Sequence, residues 1–81
     1  MPITKWLQEY LERNKRATKW DLRNKRIGDE GARAIAEAIK ANPSLQHLNL
    51  SKNRIGVKGG IAIAEALLIS KSLLHLNLSN N

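Results

Sequence analysis

The chain contains no cysteine and no phenylalanine in 81 residues, only two prolines, and three aromatic residues, Trp6, Tyr10 and Trp20. Without thiols there are no disulfide staples, no thiolate metal sites and no cysteine nucleophile, a composition that suits a reducing compartment. No apolar run approaches the roughly 18 residues that span a bilayer. The opening Met1-Pro2-Ile3-Thr4-Lys5 also lacks the apolar stretch of a secretion signal. The expectation is a cytoplasmic protein that does not cross a membrane. With so few aromatics, the core has to be assembled from Leu, Ile and Ala. Acidic residues are scarce as well: seven Asp and Glu face fourteen Lys and Arg, for a net charge of +7. That excess favours an acidic partner. A chain this short buries only about 60% of its unfolded surface, which leaves little room for a walled active site.

What the sequence does have is a repeat. Leu22, Leu50 and Leu78 lie 28 residues apart, as do Trp20, Leu48 and Leu76, a period within the range of solenoids. The copy from Ala17 to Ser44 matches the copy from Leu45 to Ser72 at Arg26/Arg54, Ile27/Ile55, Gly28/Gly56 and Gly31/Gly59, and across Ala34 to Ala38 over Ala62 to Ala66. A third copy runs from Leu73 to Asn81. Leu45, Leu48, Leu50 and Asn53, then Leu73, Leu76, Leu78 and Asn81, alternate with polar residues as a half-buried strand does. Behind the first two strands, Ile-Gly-x-x-Gly leads into apolar positions spaced i, i+3, i+4, i+7. These are Ala32, Ile35, Ala36 and Ile39, then Gly60, Ile63, Ala64 and Leu67. Asp29 and Glu30 favour the positive end of the first helix, and Asn42-Pro43 ends it. Gly31, Gly59 and Gly60 would let helix and strand approach closely. Because no copy buries both its faces alone, the copies must stack, strands in a parallel sheet and helices in a second layer.

The pattern L-x-x-L-x-L-x-x-N-x-I-G-x-x-G-a-x-x-I-a resembles the leucine-rich repeat of the ribonuclease-inhibitor subclass, over residues 17–81. The resemblance implies an α/β fold, a right-handed leucine-rich-repeat solenoid with a parallel β-sheet on the concave face and helices on the convex face. It divides the chain into repeats 17–44 and 45–72 and a partial repeat 73–81. It implies that the concave face binds partners; the reading is protein recognition or scaffolding through that face, with no enzymatic activity and no cofactor expected. Ala17 and Trp20 stand where the family has Leu, and Lys25 stands where it has Asn. In the family that Asn bonds neighbouring backbones along a ladder, so the ladder is expected to fail at the first turn.

Residues 1–16 fall outside the repeat. Trp6, Leu7, Tyr10 and Leu11 form an apolar stripe on a helix whose negative end carries Arg13, Lys15 and Arg16. The reading is an N-terminal capping helix, with Trp6, Tyr10 and Trp20 in the core; a basic amphipathic helix for membranes or calmodulin-like partners is the alternative. At the other end, the second helix carries Val57, Ile61 and Leu68 where the first carries Asp29, Arg33 and Lys40, which widens its apolar stripe. The chain is therefore expected to be a fragment of a longer array, natural or engineered, or to bury an open end in a second copy. Val57, Ile61, Leu68, Leu76 and Leu78 would take part, with third strands pairing across a twofold axis. The competing reading lays Ile61 and Leu68 against the first helix.

Positions between the buried leucines are expected on the open face of the sheet, in three rows. Lys19, His47 and His75 form one; Asp21, Asn49 and Asn77 the next; Arg23, Ser51 and Ser79 the last. These nine residues are the candidate partner contacts. Neighbours in a row lie about 4.8 Å apart. His47 beside His75 invites a metal, but no carboxylate or thiolate stands next to them and Lys19 opposes a cation. Ser51 and His47 are four residues apart on one strand, roughly 13 Å, too far for a catalytic pair. The Gly-x-x-Gly loops at Gly28 and Gly56 could mimic an RNA clamp, yet Asp29 and Glu30 would repel phosphate. Seven of the fourteen cations fall between Arg13 and Arg26. With the aromatics assigned to the core, such a patch favours an acidic protein over nucleic acid. Asn49-Leu50-Ser51 and Asn77-Leu78-Ser79 match a glycosylation sequon that the missing secretion signal makes incidental.

Overall fold

A computed structural model describes residues 3–81, with side chains from Lys5 onward. The first two residues of the segment read as a cap, which also begin the stretch read for a secretion signal, lie outside the described residues. The chain runs α1 (Ile3–Arg13), β1 (Lys19–Asp21), α2 (Gly28–Ala41), β2 (His47–Asn49), α3 (Val57–Ile69) and β3 (His75–Asn77). The strands form one parallel sheet in the order β1-β2-β3. The 28-residue period is its register: Lys19 lies opposite His47 and His47 opposite His75, with Trp20, Leu48 and Leu76 in line behind them. Backbone pairing continues past the three-residue strands, as Leu22 N–H donates to Asn49 O at 2.9 Å and Leu50 N–H to Asn77 O at 2.8 Å.

The sheet alternates as its sequence does. Trp20 and Leu48 are buried with Leu22, Leu45 and Leu50 against Ala32, Ile35 and Ile39 of α2 and Ile63 and Ala66 of α3. Trp20, in a leucine position, is completely buried, and its indole N–H donates to Asn14 O at 2.9 Å, so the larger residue brings its own partner. From α1, Leu7 and Leu11 join this core. Trp6 does not: it is 41% exposed. It sits about 100° round the helix from Leu7, and it stacks on half-buried Tyr10 instead of entering the core.

After each of the first two strands the backbone turns through left-handed residues at equivalent positions, Asn24 and Arg26, then Lys52 and Arg54. Gly28 also has positive φ, +66°, a conformation glycine takes without the steric cost of a Cβ. The ladder expected to fail at the first turn does not. Asn53, fully buried, accepts the N–H groups of Lys25 and Ile27 through Oδ1 and donates through Nδ2 to Leu22 O and Ser51 O. The asparagine of each copy serves the turn before it, so Lys25 needs no amide of its own. Asn81 does the same for Asn53 and Ile55. Buried Asn42, after the last residue of α2, likewise reaches back, its Nδ2 donating to Ala17 O at 3.1 Å.

Helices α2 and α3 pack side by side, and the contact is drawn tight by Gly59, where a Cβ would lie 2.9 Å from that of Ala32. Asp29 of α2 completes the joint: its Oδ1 accepts the N–H groups of Gly56 (2.7 Å) and Gly59 (2.9 Å) at the N-terminus of α3. It thus caps the following helix from the preceding one. Gly60 makes no such approach, having nothing within 4 Å of a Cβ position. The buried side of α3 is also rotated from the expected stripe. Gly59, Ile63 and Ala66 are buried, whereas Gly60 and Leu67 are only half-buried and Ala64 is exposed. The described residues place a neighbouring helix on one side of α3 alone. Ile61 and Leu68 do not pack against α2; they are 54% and 86% exposed.

Candidate functional site

The alternation that buries Trp20, Leu48 and half of Leu76 turns the residues beside them outward. Two of the three expected rows are therefore assembled by the register, Lys19, His47 and His75 in one, Asp21, Asn49 and Asn77 in the other. The third row lies past the ends of the strands and is not uniform. Arg23 and Ser79 are exposed, but Ser51 is buried at 6% and offers no contact surface. The cause is the turn itself: the Ser51 carbonyl accepts both Asn24 N–H and the amide of Asn53, which draws the residue inward.

Along the first row the imidazoles of His47 and His75 stack, with centroids 4.6 Å apart and planes 3° from parallel. Ring-nitrogen lone pairs lie in the ring plane, so parallel stacked rings point them alongside one another and do not converge on one ion. Among the described residues no group of three His, Asp, Glu or Cys side chains is placed to hold a metal.

The second row is ordered by a repeated local bond. Asn49 Oδ1 accepts Ser51 N–H at 3.1 Å and Asn77 Oδ1 accepts Ser79 N–H at 2.9 Å. Asp21 follows the same rule, accepting Arg23 N–H, and its Oδ1 also takes the Arg23 guanidinium Nε at 2.9 Å. That guanidinium bond is the largest influence; with the Arg23 backbone bond and the charges of Arg23 and Lys19 it outweighs the opposing desolvation and holds the exposed carboxyl below the ordinary aspartate range. Together Lys19, His47, His75, Asn49 and Asn77 line a shallow depression of about 470 Å³ floored by Trp20, Leu48 and Leu76.

Three further surfaces are present. A groove of about 890 Å³ lies between α1 and α2 over Leu11, Ala34, Ala38 and Ala41, and is rimmed by Lys15 and Glu12. Of its charged lining residues, Lys15 pairs with Glu12 at 2.9 Å and Glu37 with Lys40 at 3.0 Å. No periodicity announced this groove, because its walls come from two helices, α1 and α2. On the other flank of α1, Trp6 stacks on Tyr10 at 5.8 Å, with Lys25 Nζ 5.8 Å from the indole centroid. Partial burial raises the Tyr10 phenol above its ordinary value. The aromatics assigned to the core thus include one on the surface. On α3, Val57, Ile61 and Leu68 are all exposed, and Leu76 and Leu78 of the third copy are half-buried.

Ser51 is buried at 6%, so it does not stand on the open face with His47. No helix among the described residues is long and apolar enough to cross a membrane. A family model described as Leucine Rich repeat matches residues 18–36 and 41–64, more than half of the chain. No curated protein matches it significantly.

Proposed function

Because the chain belongs to the leucine-rich repeat family, whose domains generally mediate protein–protein interaction and are typically non-enzymatic, we propose that it recognises a protein partner through the open face of β1, β2 and β3. The supporting observation is the pair of uncovered rows, Lys19–His47–His75 and Asp21–Asn49–Asn77, laid side by side by the parallel register. Arg23 and Ser79 extend the contact at its edge. On this reading the sheet is the concave face of a ribonuclease-inhibitor-like solenoid, the partner is acidic, and the protein works in the cytoplasm. Its repeats are 17–44, 45–72 and 73–81, with residues 1–16 as a cap. Selection of a displayed peptide library against the chain tests it. Selected peptides should lose binding to a variant carrying Asn49→Ala and His47→Ala and keep it to one carrying Ile61→Arg and Leu68→Lys. The opposite pattern overturns it.

A second reading rests on α3. Its positions 61 and 68 correspond to Arg33 and Lys40 of α2, which stay exposed although α3 lies beside them. Stacking of repeats therefore does not cover Ile61 and Leu68. With Val57 they form an apolar patch of the kind that marks an interface. A second copy fits it, since the patch is uncharged apart from Lys58 and Glu65, and Leu76 and Leu78 would be covered with it. Light scattering at micromolar concentration should then show a dimer that Ile61→Arg with Leu68→Lys converts to monomer. A monomer in the parent chain excludes the reading.

A further inference from the structure

The hydrogen bonds of the sheet face engage the amide oxygens of Asn49 and Asn77 and leave their NH₂ donors free among the described residues. Asn49 and Asn77 each spend the carbonyl oxygen on a serine N–H two residues on, while their Nδ2 groups make no hydrogen bond among the described residues. A neutral imidazole carries one N–H donor, and neither His47 nor His75 is hydrogen-bonded through its ring among the described residues. Lys19 forms no ion pair there. Asp21, the acid of the second row, is engaged by Arg23 and does not line the depression. The depression is thus bordered by an ammonium, two imidazoles and two amide NH₂ groups, with no carboxylate facing it.

We propose that this depression is an anion subsite, in which a carboxylate or phosphate oxygen of a partner is seated by Lys19, His47 and His75 and receives the amide N–H groups of Asn49 and Asn77. The inference rests on the open-face reading and adds the chemistry that the face selects. Several donors bordering one depression suit a ligand with several oxygens and a negative charge, and bonds to such a group are about twice as strong as neutral ones. A cationic ligand would meet the Lys19 ammonium and find no carboxylate lining the depression. A neutral amide or hydroxyl would leave the ammonium without a counter-charge. The seryl N–H bonds matter here because they orient each amide: Ser51 and Ser79 hold Oδ1 back toward the chain and fix which end of Asn49 and Asn77 remains available.

The test is an NMR titration of the isotope-labelled chain, following the side-chain amides of Asn49 and Asn77 and the rings of His47 and His75. Inorganic phosphate, a hexaglutamate peptide and a hexaglutamine peptide are the probes. Phosphate and hexaglutamate should shift these signals saturably, and hexaglutamine should bind at least about tenfold more weakly, the loss of roughly one charge-assisted bond. The tighter of the two anions identifies whether phosphate or an acidic side chain is the source. Lys19→Gln, an exposed substitution that leaves the core untouched, should weaken the anions about tenfold and leave hexaglutamine unchanged; His47→Asn with His75→Asn should do likewise. Equal binding of hexaglutamine and hexaglutamate at these residues overturns the anion subsite and leaves the open-face reading standing. Shifts confined to Arg13–Arg16 or to α3 overturn both.

Discussion

The side-chain oxygen of Asn53 accepts the backbone N–H of Lys25 at 2.7 Å, joining equivalent turn positions exactly one repeat apart in sequence. The same amide also holds Ile27 N–H, Leu22 O and Ser51 O, so one buried side chain serves four backbone groups. Asn53→Ala would strand several of them without water. The expected loss is about 2–4 kcal/mol, since each stranded buried group costs about 1–3 kcal/mol and the site relaxes in part. Asn81→Ala, at an exposed position with the same bonding pattern, should cost about 1 kcal/mol. Urea denaturation midpoints of the two variants compare them directly.

Gly59 and Gly60 are neighbours in sequence with opposite expectations. At Gly59 an added Cβ would lie 2.7 Å from Asp29 Oδ1 and 2.8 Å from the Ile55 side chain, so Gly59→Ala has to push α3 away from α2. A destabilisation of about 1–3 kcal/mol is expected. At Gly60 nothing lies within 4 Å, and alanine should stabilise the helix by about 0.5–1 kcal/mol. Thermal melts should move in opposite directions. A Gly60→Ala chain that melts lower would show that α3 has an undetected neighbour.

Asp29 caps a helix to which it does not belong. Asp29→Ala should lose about 1 kcal/mol, the ordinary worth of an N-terminal cap, and the loss should appear as faster amide exchange at Gly56 and Gly59. Glu30, beside it and exposed, makes no bond to α3 among the described residues. Glu30→Ala should leave those two amides unchanged.

The Asp21–Arg23 bond sets a pH dependence whose sign follows from the lowered carboxyl. A group depressed in the folded state contributes stability above its unfolded value, and that contribution is lost as pH falls through the folded value. The acid side of the stability profile should therefore soften below the ordinary aspartate range, and Asp21→Asn should remove that part. Carboxyl titration by carbon NMR should find the Asp21 midpoint below that of a free aspartate, moving upward in Arg23→Ala. No movement would show that Arg23 is not the cause.

Much of the fold is legible in the sequence because it is written as a period. Leu22, Leu50 and Leu78 repeat at a spacing that only a strand, a turn and a helix can fill. The register of Lys19, His47 and His75 is that spacing read in space. Ser51 shows where such reading stops. Alternation carries it to the open face, but a strand ends where its backbone bonds change, and of the two contacts that end this one, Asn53 is local while Asn24 comes from another copy. Trp6 shows a second limit. Its stripe is apolar, yet the core admits only the side of α1 that meets α2, through Leu7 and Leu11.

The sequence by itself determined the repeat, the parallel order of its strands and the rows of polar residues between buried leucines, because hydrophobic periodicity is a local property of the chain. Only the tertiary structure decided which asparagine serves which turn, that Asp29 caps α3, that Ile61 and Leu68 stay uncovered, and that Asn49 and Asn77 keep their NH₂ groups free among the described residues. Each of these depends on a partner in another copy or on the unused half of a side chain. A linear pattern records residue types, whereas hydrogen-bond satisfaction is settled by what the fold brings within three ångströms.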